Sequence, residues 1–168
     1  CALTRFGSLP LCICAPAGHR PIPIAPHMRL IRPRGVNRSR LLRILWEQTV
    51  LPVLLKRARA PLLHAPAYVA PRLAPCPVVL TIHDLHVLTH PQFCRAGNRV
   101  HYRLLLPPSI RRAAAVIAFS NHTRRVILDR FPEVRDRLVL IPPGLAPNLV
   151  RCADHARLQA VRQRHTLP

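Results

Sequence analysis

The sequence predicts an α/β fold, a mostly parallel sheet flanked by helices, on three observations. Short aliphatic runs alternate with longer stretches of helical periodicity. The most apolar run, Val78-Val79-Leu80-Thr81-Ile82, is rich in β-branched residues and has Pro75 and Pro77 in front of it, as expected of a strand buried on both faces. Four of the runs end on a polar or glycine-bearing turn, namely His64, His83-Asp84, Ser120 and Pro142-Pro143-Gly144. In an open α/β sheet ligands bind beyond the carboxyl ends of the strands, so these turns are expected to line one edge together.

Taken in order, Leu9 to Ala15 reads as a strand that runs into a turn at Pro16-Ala17-Gly18. Residues 19–37 read as a Pro-, His- and Arg-rich loop with one short strand near Met28 to Ile31. Helical pattern begins after Asn37, a suitable N-cap, with Leu41, Ile44, Leu45, Leu51 and Leu55 along one face and Leu42, Trp46 and Val53 beside them. Pro52 is expected to kink or divide this helix. Leu62-Leu63-His64 reads as a strand, followed by a Pro-punctuated loop to Pro77 and then the central run. A polar loop carries His86 and His90, and a helix from Asn98 to Ala114 should be interrupted at Pro107-Pro108. Ala115 to Phe119 is a further buried strand, and Ser120 or Asn121 can cap a helix running to Phe131. The exposed N–H groups at the start of that helix suit phosphate or sugar oxygens. Val139 to Ile141 is the last strand, and Ala153 to His165 reads as a terminal helix.

At 168 residues the chain suffices for one ordinary domain with a real core. Its formal charge of +20 comes from 26 lysines and arginines, of which only Lys56 is lysine, against six acids, none of them among the first 46 residues. Such a balance points to nucleic acid or an anionic membrane surface, but the near absence of lysine also fits a GC-rich coding sequence. Aromatics make up only 4%, and no basic run is interleaved with them for base stacking, which argues against nucleic acid. The arginines crowd the ends of the helix after Asn37, which could lie on a membrane or pack on the sheet; packing is the reading taken. The six cysteines contain no C-x-x-C pair and read as reduced cytosolic thiols. The longest early apolar stretch, Leu9 to Ala17, is broken by prolines and too short to span a bilayer.

His83, His86 and His90 with Asp84 could be drawn as a metal site, but their spacing fits no strong motif. A Ser-His-Asp hydrolase would need a G-x-S-x-G elbow at Ser120, which is absent, and an orienting bond between adjacent side chains. No dinucleotide fingerprint or phosphate loop occurs in the sequence.

The order of segments resembles the N-terminal domain of retaining GT-B glycosyltransferases, specifically glycosyltransferase family 4. The matching pieces are Trp46-Glu47-Gln48 with Leu51-Pro52, His64-Ala65-Pro66 with Tyr68 and Pro71, and Val79 through Leu85 with His90-Pro91. The helix around Tyr102 with Arg111-Arg112-Ala113, then Ala115 through Ser120 with Thr123, and Val139 through Gly144 complete the series over about residues 38–150. The resemblance implies a Rossmann-like sheet forming one half of a GT-B fold. It implies an enzyme that moves a hexosyl group from a nucleotide-sugar donor to a glycan or lipid-linked acceptor with retention, without a catalytic metal or any cofactor beyond the nucleotide-sugar co-substrate. His83 and Asp84 are then the catalytic candidates, His83 contacting the transferring sugar or acceptor and Asp84 bracing the turn. Ser120 and Thr123 would face the cleft, Gly144 would allow close approach near the donor, and Trp46, Glu47, His64 and Tyr68 are acceptor-side candidates.

Three regions of the domain follow from the same likeness. Residues 1–37 would be its incomplete N-terminal strand and loop, 38–150 the acceptor-side body, and 151–168 a linker helix toward a donor-binding domain. Neither the family's glycine-rich loop nor its paired glutamates are present, and the chain starts at Cys1, so it is expected to be a fragment, inactive by itself and prone to aggregate. The expected setting is cytoplasmic, at the inner membrane face. The alternative is a non-catalytic basic module that binds nucleic acid or an anionic membrane.

Overall fold

The computed structural model describes residues 10–15, 25–33, 39–145 and 151–167. The turn expected at Pro16-Ala17-Gly18 and the cap expected at Asn37 lie outside them. Six short strands follow the aliphatic runs: β1 (Leu11–Cys14), β2 (Met28–Ile31), β3 (Leu63–Ala65), β4 (Val78–Ile82), β5 (Ala115–Ala118) and β6 (Leu138–Leu140). Every pairing is parallel. β3-β4-β5-β6 form one four-stranded sheet in chain order, and β1 and β2 form a separate two-stranded sheet. The helix α1 (Arg40–Arg57) precedes β3. A parallel pair needs a crossover: the stretch 66–77 links β3 to β4, and α2 (His86–Thr89) and α3 (Ala96–Arg112) link β4 to β5. The helix α4 (Asn121–Arg130) and a 3-10 segment, Pro132–Arg137, return the chain to β6, and α5 (His155–Arg164) follows.

The core sits around β4, where only Val79 is partly accessible. Leu80, Ile82 and Val116 meet Leu106 and Ile110 of α3 and Ile127 of α4, all fully buried. Phe131 and Val134 close the layer beyond α4.

Several elements depart from the expected boundaries. The strand placed at Leu62-Leu63-His64 begins one residue later, so that His64 lies inside β3 and Pro66 follows its end, whereas the strand placed at Val139 to Ile141 begins one residue earlier. Neither α1 nor α3 is broken by its prolines. In α3, Pro107 and Pro108 deprive the carbonyls of Arg103 and Leu104 of their N–H partners, but both residues are exposed, so water can replace the lost bonds. Burial of Leu106, Ser109 and Ile110 around the prolines keeps the helix continuous. The cap of α1 is Ser39, whose hydroxyl accepts from the Leu42 amide at 3.1 Å.

One face of α1 meets the rest of the chain loosely. Ile44, Leu51 and Leu55 are half-buried, and Gln48 ties the helix to the following loop by donating to the Ala70 carbonyl and accepting from the Arg72 amide. At its start, Arg40 donates to Asn98 of α3. Leu41, Leu42, Leu45 and Val53 instead face outward, so the apolar stripe read from the sequence is divided between the two sides.

Truncating the core and this outer stripe should therefore have different costs. Leu80→Ala, at a fully buried position, is expected to destabilise by about 2–5 kcal/mol, and Leu45→Ala to change stability by less than about 0.5 kcal/mol. Urea unfolding of the two variants checks this, and equal losses would show that the outer face of α1 is packed in solution.

Candidate functional site

Parallel register assembles the carboxyl edge. Ala65 lies opposite Leu80 and Ile82 opposite Ala118, so the chain leaves the sheet at Pro66, His83 and Phe119 on neighbouring strands. These three residues touch. His83 Nε2 donates to the Pro66 carbonyl at 2.8 Å. The Phe119 ring stands edge-on to the imidazole, with centroids 4.3 Å apart, and Tyr68 flanks it at 5.4 Å.

Tyr68 adopts a left-handed backbone, with φ of 68°, a conformation that costs a residue bearing a Cβ on the order of 1–2 kcal/mol. Three contacts hold it there. Its amide donates to the Thr81 carbonyl at 3.2 Å, its hydroxyl donates to Asp84 Oδ2 at 2.9 Å, and its ring packs edge-on against Tyr102. The other carboxylate oxygen, Oδ1, accepts from the His86 amide at 3.1 Å and from His86 Nδ1. Burial opposes the charge on Asp84, but the bonds from His86 and Tyr68 outweigh it and hold the carboxyl below its ordinary range. The Tyr68 hydroxyl is pushed well up, by burial first and then by Asp84, so it remains a donor.

A second tie comes from β5. Ser120 caps α4, its oxygen accepting from the Thr123 amide at 3.0 Å. The buried Thr123 hydroxyl donates to the His83 carbonyl at 3.0 Å, so the Ser120 hydroxyl can donate in turn to Thr123 Oγ1, 2.9 Å away. Both hydroxyls are thus engaged within the chain, locking the end of β4 to the start of α4.

His83, Asp84, Tyr68, Ser120 and Thr123 are thereby brought together. His64 lies alongside, with Nε2 2.9 Å from Thr81 Oγ1. The remaining candidates, Trp46, Glu47 and Gly144, take part in none of these bonds or ring contacts. Trp46 and Glu47 are half-buried on α1, where burial raises the Glu47 carboxyl and Arg43, 3.8 Å away, partly offsets it. Gly144 is exposed beyond β6, where an added Cβ would meet no atom within 4 Å. Pro66, Phe119 and the His86 pairing were not among the expected site residues. Among the described residues no group of three His, Cys, Asp or Glu side chains could hold a metal ion. A shallow pocket of about 180 Å³ lies at the opposite edge of the sheet, between Arg72, Cys76 and Arg112, away from this cluster.

The carboxyl edge of the parallel sheet thus presents a histidine flanked by Tyr68 and Phe119. The model of Glycosyltransferase Family 4 matches residues 10–149. The chain belongs to glycosyltransferase family 4. A crystal structure of a glycosyltransferase from Rickettsia africae ESF-5 is similar at 15% identity and a TM-score of 0.42, over 84% of this chain and 37% of that one. The family 4 chain thus spans little more than a third of the length of that glycosyltransferase. No curated protein sequence matches it.

The Asp84 clamp makes a prediction about acid stability. A carboxyl held low in the native state contributes stability that is complete above its unfolded value and is lost as pH falls through the native one. Asp84→Asn should therefore be less stable than the native chain at pH 7, with a shallower loss below about pH 4. Urea midpoints measured across that range decide it, and parallel profiles would show that Asp84 bears no such load.

Proposed function

We propose that this family 4 chain is the acceptor-side domain of a retaining glycosyltransferase that moves a hexosyl group from a nucleotide sugar to a glycan or lipid-linked acceptor. The observation that carries this reading is the convergence of His83 and the β5–α4 turn at one edge of the parallel sheet, joined by the Thr123–His83 bond. His83 is the group that meets the transferring sugar or the acceptor hydroxyl. In this reading residues 38–150 form the acceptor-side body, and 151–168 lead toward a donor-binding half that supplies most of the nucleotide contacts. The 168 residues alone then bind glycan without transferring sugar.

Calorimetry with a neutral oligosaccharide tests this. Saturable binding, insensitive to salt and weakened about tenfold in His83→Ala, is expected from the loss of one ligand hydrogen bond. Binding of polynucleotide in its place, falling steeply with added salt, would instead identify a basic nucleic-acid module. Full transfer activity of this chain with a nucleotide sugar would overturn the division of labour between the halves.

A peripheral membrane contact, consistent with a lipid-linked acceptor, is part of the proposal. No described helix is long and apolar enough to cross a membrane. The outward side of α1 nevertheless presents Leu41, Leu42, Leu45 and Val53, with Arg43, Lys56 and Arg57 exposed around them. Exposed leucines flanked by cations suit insertion between anionic headgroups, each cation near the surface contributing about 1 kcal/mol. Cosedimentation should be several-fold greater with phosphatidylglycerol-containing vesicles than with pure phosphatidylcholine, and should drop in the Leu42→Asp/Leu45→Asp double variant. Equal recovery with both vesicle types, or no response to the substitutions, removes the membrane from the proposal.

A further inference from the structure

We infer that Asp84 is a positioning residue that works through Tyr68 and Pro66 to fix His83 in the tautomer with its proton on Nε2, leaving Nδ1 as the acceptor for a ligand hydroxyl. The ligand half of this statement rests on the glycosyltransferase reading. The tautomer half does not.

The argument follows the bonds. A backbone carbonyl can only accept, so the 2.8 Å contact between His83 Nε2 and Pro66 requires hydrogen on Nε2. In a neutral imidazole the other nitrogen is then an acceptor, and among the described residues nothing bonds to His83 Nδ1. The Pro66 carbonyl is in place because the loop turns back at Tyr68, two residues later, in a left-handed conformation that tyrosine does not favour. That conformation is held at both ends of the residue, by its amide on Thr81 and its phenol on Asp84. Asp84 has both oxygens occupied, by Tyr68 and by His86, and makes no bond to His83. It therefore does not orient the imidazole directly. A sugar hydroxyl donating to Nδ1 completes the ring's hydrogen bonds without a change of protonation. His83 in this tautomer presents Nδ1 to a hydroxyl donor.

Nitrogen-15 NMR of the imidazoles in the unliganded chain tests the inference. The native chain at neutral pH should show His83 with a protonated Nε2 and an unprotonated Nδ1. Tyr68→Phe, which removes only the hydroxyl, and Asp84→Ala should both shift the ring toward a mixture of tautomers while the backbone spectrum stays folded; Asp84→Asn, which keeps an oxygen for the phenol, should restore the native pattern in large part. A proton on Nδ1 in the native chain overturns the inference whatever the variants do. So does an unchanged His83 signal in a folded Tyr68→Phe chain, which differs by one oxygen atom at a half-buried site. If Asp84→Ala does not fold, Tyr68→Phe alone decides. The expected tautomer in a chain that binds no oligosaccharide would leave the positioning intact and defeat the glycosyltransferase reading. A native chain that binds oligosaccharide with His83 in the other tautomer would do the reverse.

Discussion

β4 is paired on both edges and packed on one face against the helices, and this confinement organises the rest of the domain. Its backbone groups are committed to β3 and β5, and the side chains of Val78, Leu80 and Ile82 to the core shared with α3 and the α4 layer. The packed face admits no polar side chain, so polar chemistry emerges where the strand ends, at His83. Because β3 and β5 run in the same direction, their own ends arrive at the same place. The site is therefore a consequence of strand direction, and its contents are whatever residue follows each strand.

Beyond that edge the forces change. The core is held by apolar burial, whereas the site is held by a few directional bonds: Tyr68 to Asp84, His86 to Asp84, Thr123 to His83, and His83 to Pro66. Such bonds individually contribute on the order of 1 kcal/mol, and more where one partner is charged. Their value lies in geometry: they hold a non-glycine residue in an unfavourable backbone state and an imidazole in one orientation. The cluster can thus be altered locally, by a single hydroxyl or carboxylate, without removing what holds the sheet together.

The parts of this arrangement that depend on composition and period were legible in the sequence. Unbroken aliphatic runs separated by helical stretches predicted a parallel sheet, and His83 and Ser120, ending two of those runs, were placed at its carboxyl edge. The order of the quoted segments pointed to family 4. The parts that depend on a partner elsewhere in the chain were not legible. His64 moved into β3, and the last strand shifted by one residue, because strand ends are fixed by the neighbour they pair with. Pro107 and Pro108 did not break α3, because burial of the residues on either side outweighs two lost hydrogen bonds whose carbonyls reach water. Pro66 and Phe119 meet His83 only through register, and nothing local to either marks it. The periodicity of α1 likewise identified the helix but not the side it turns inward.

The tie between Thr123 and the His83 carbonyl also carries a consequence for the order of folding. It joins residues 40 positions apart, across the crossover that contains both α2 and α3. Contacts this distant in sequence bear the loop-closure cost of everything between them, so they form after the more local pairing of β5 with β6 and after α3 itself. Once the sheet is formed the bond closes no further loop, because β4 and β5 already pair Ile82 with Ala118, so its opening gives up one hydrogen bond and leaves the ladder intact. The edge that would meet a ligand can therefore loosen at the Thr123–His83 tie while the sheet beneath it stays paired.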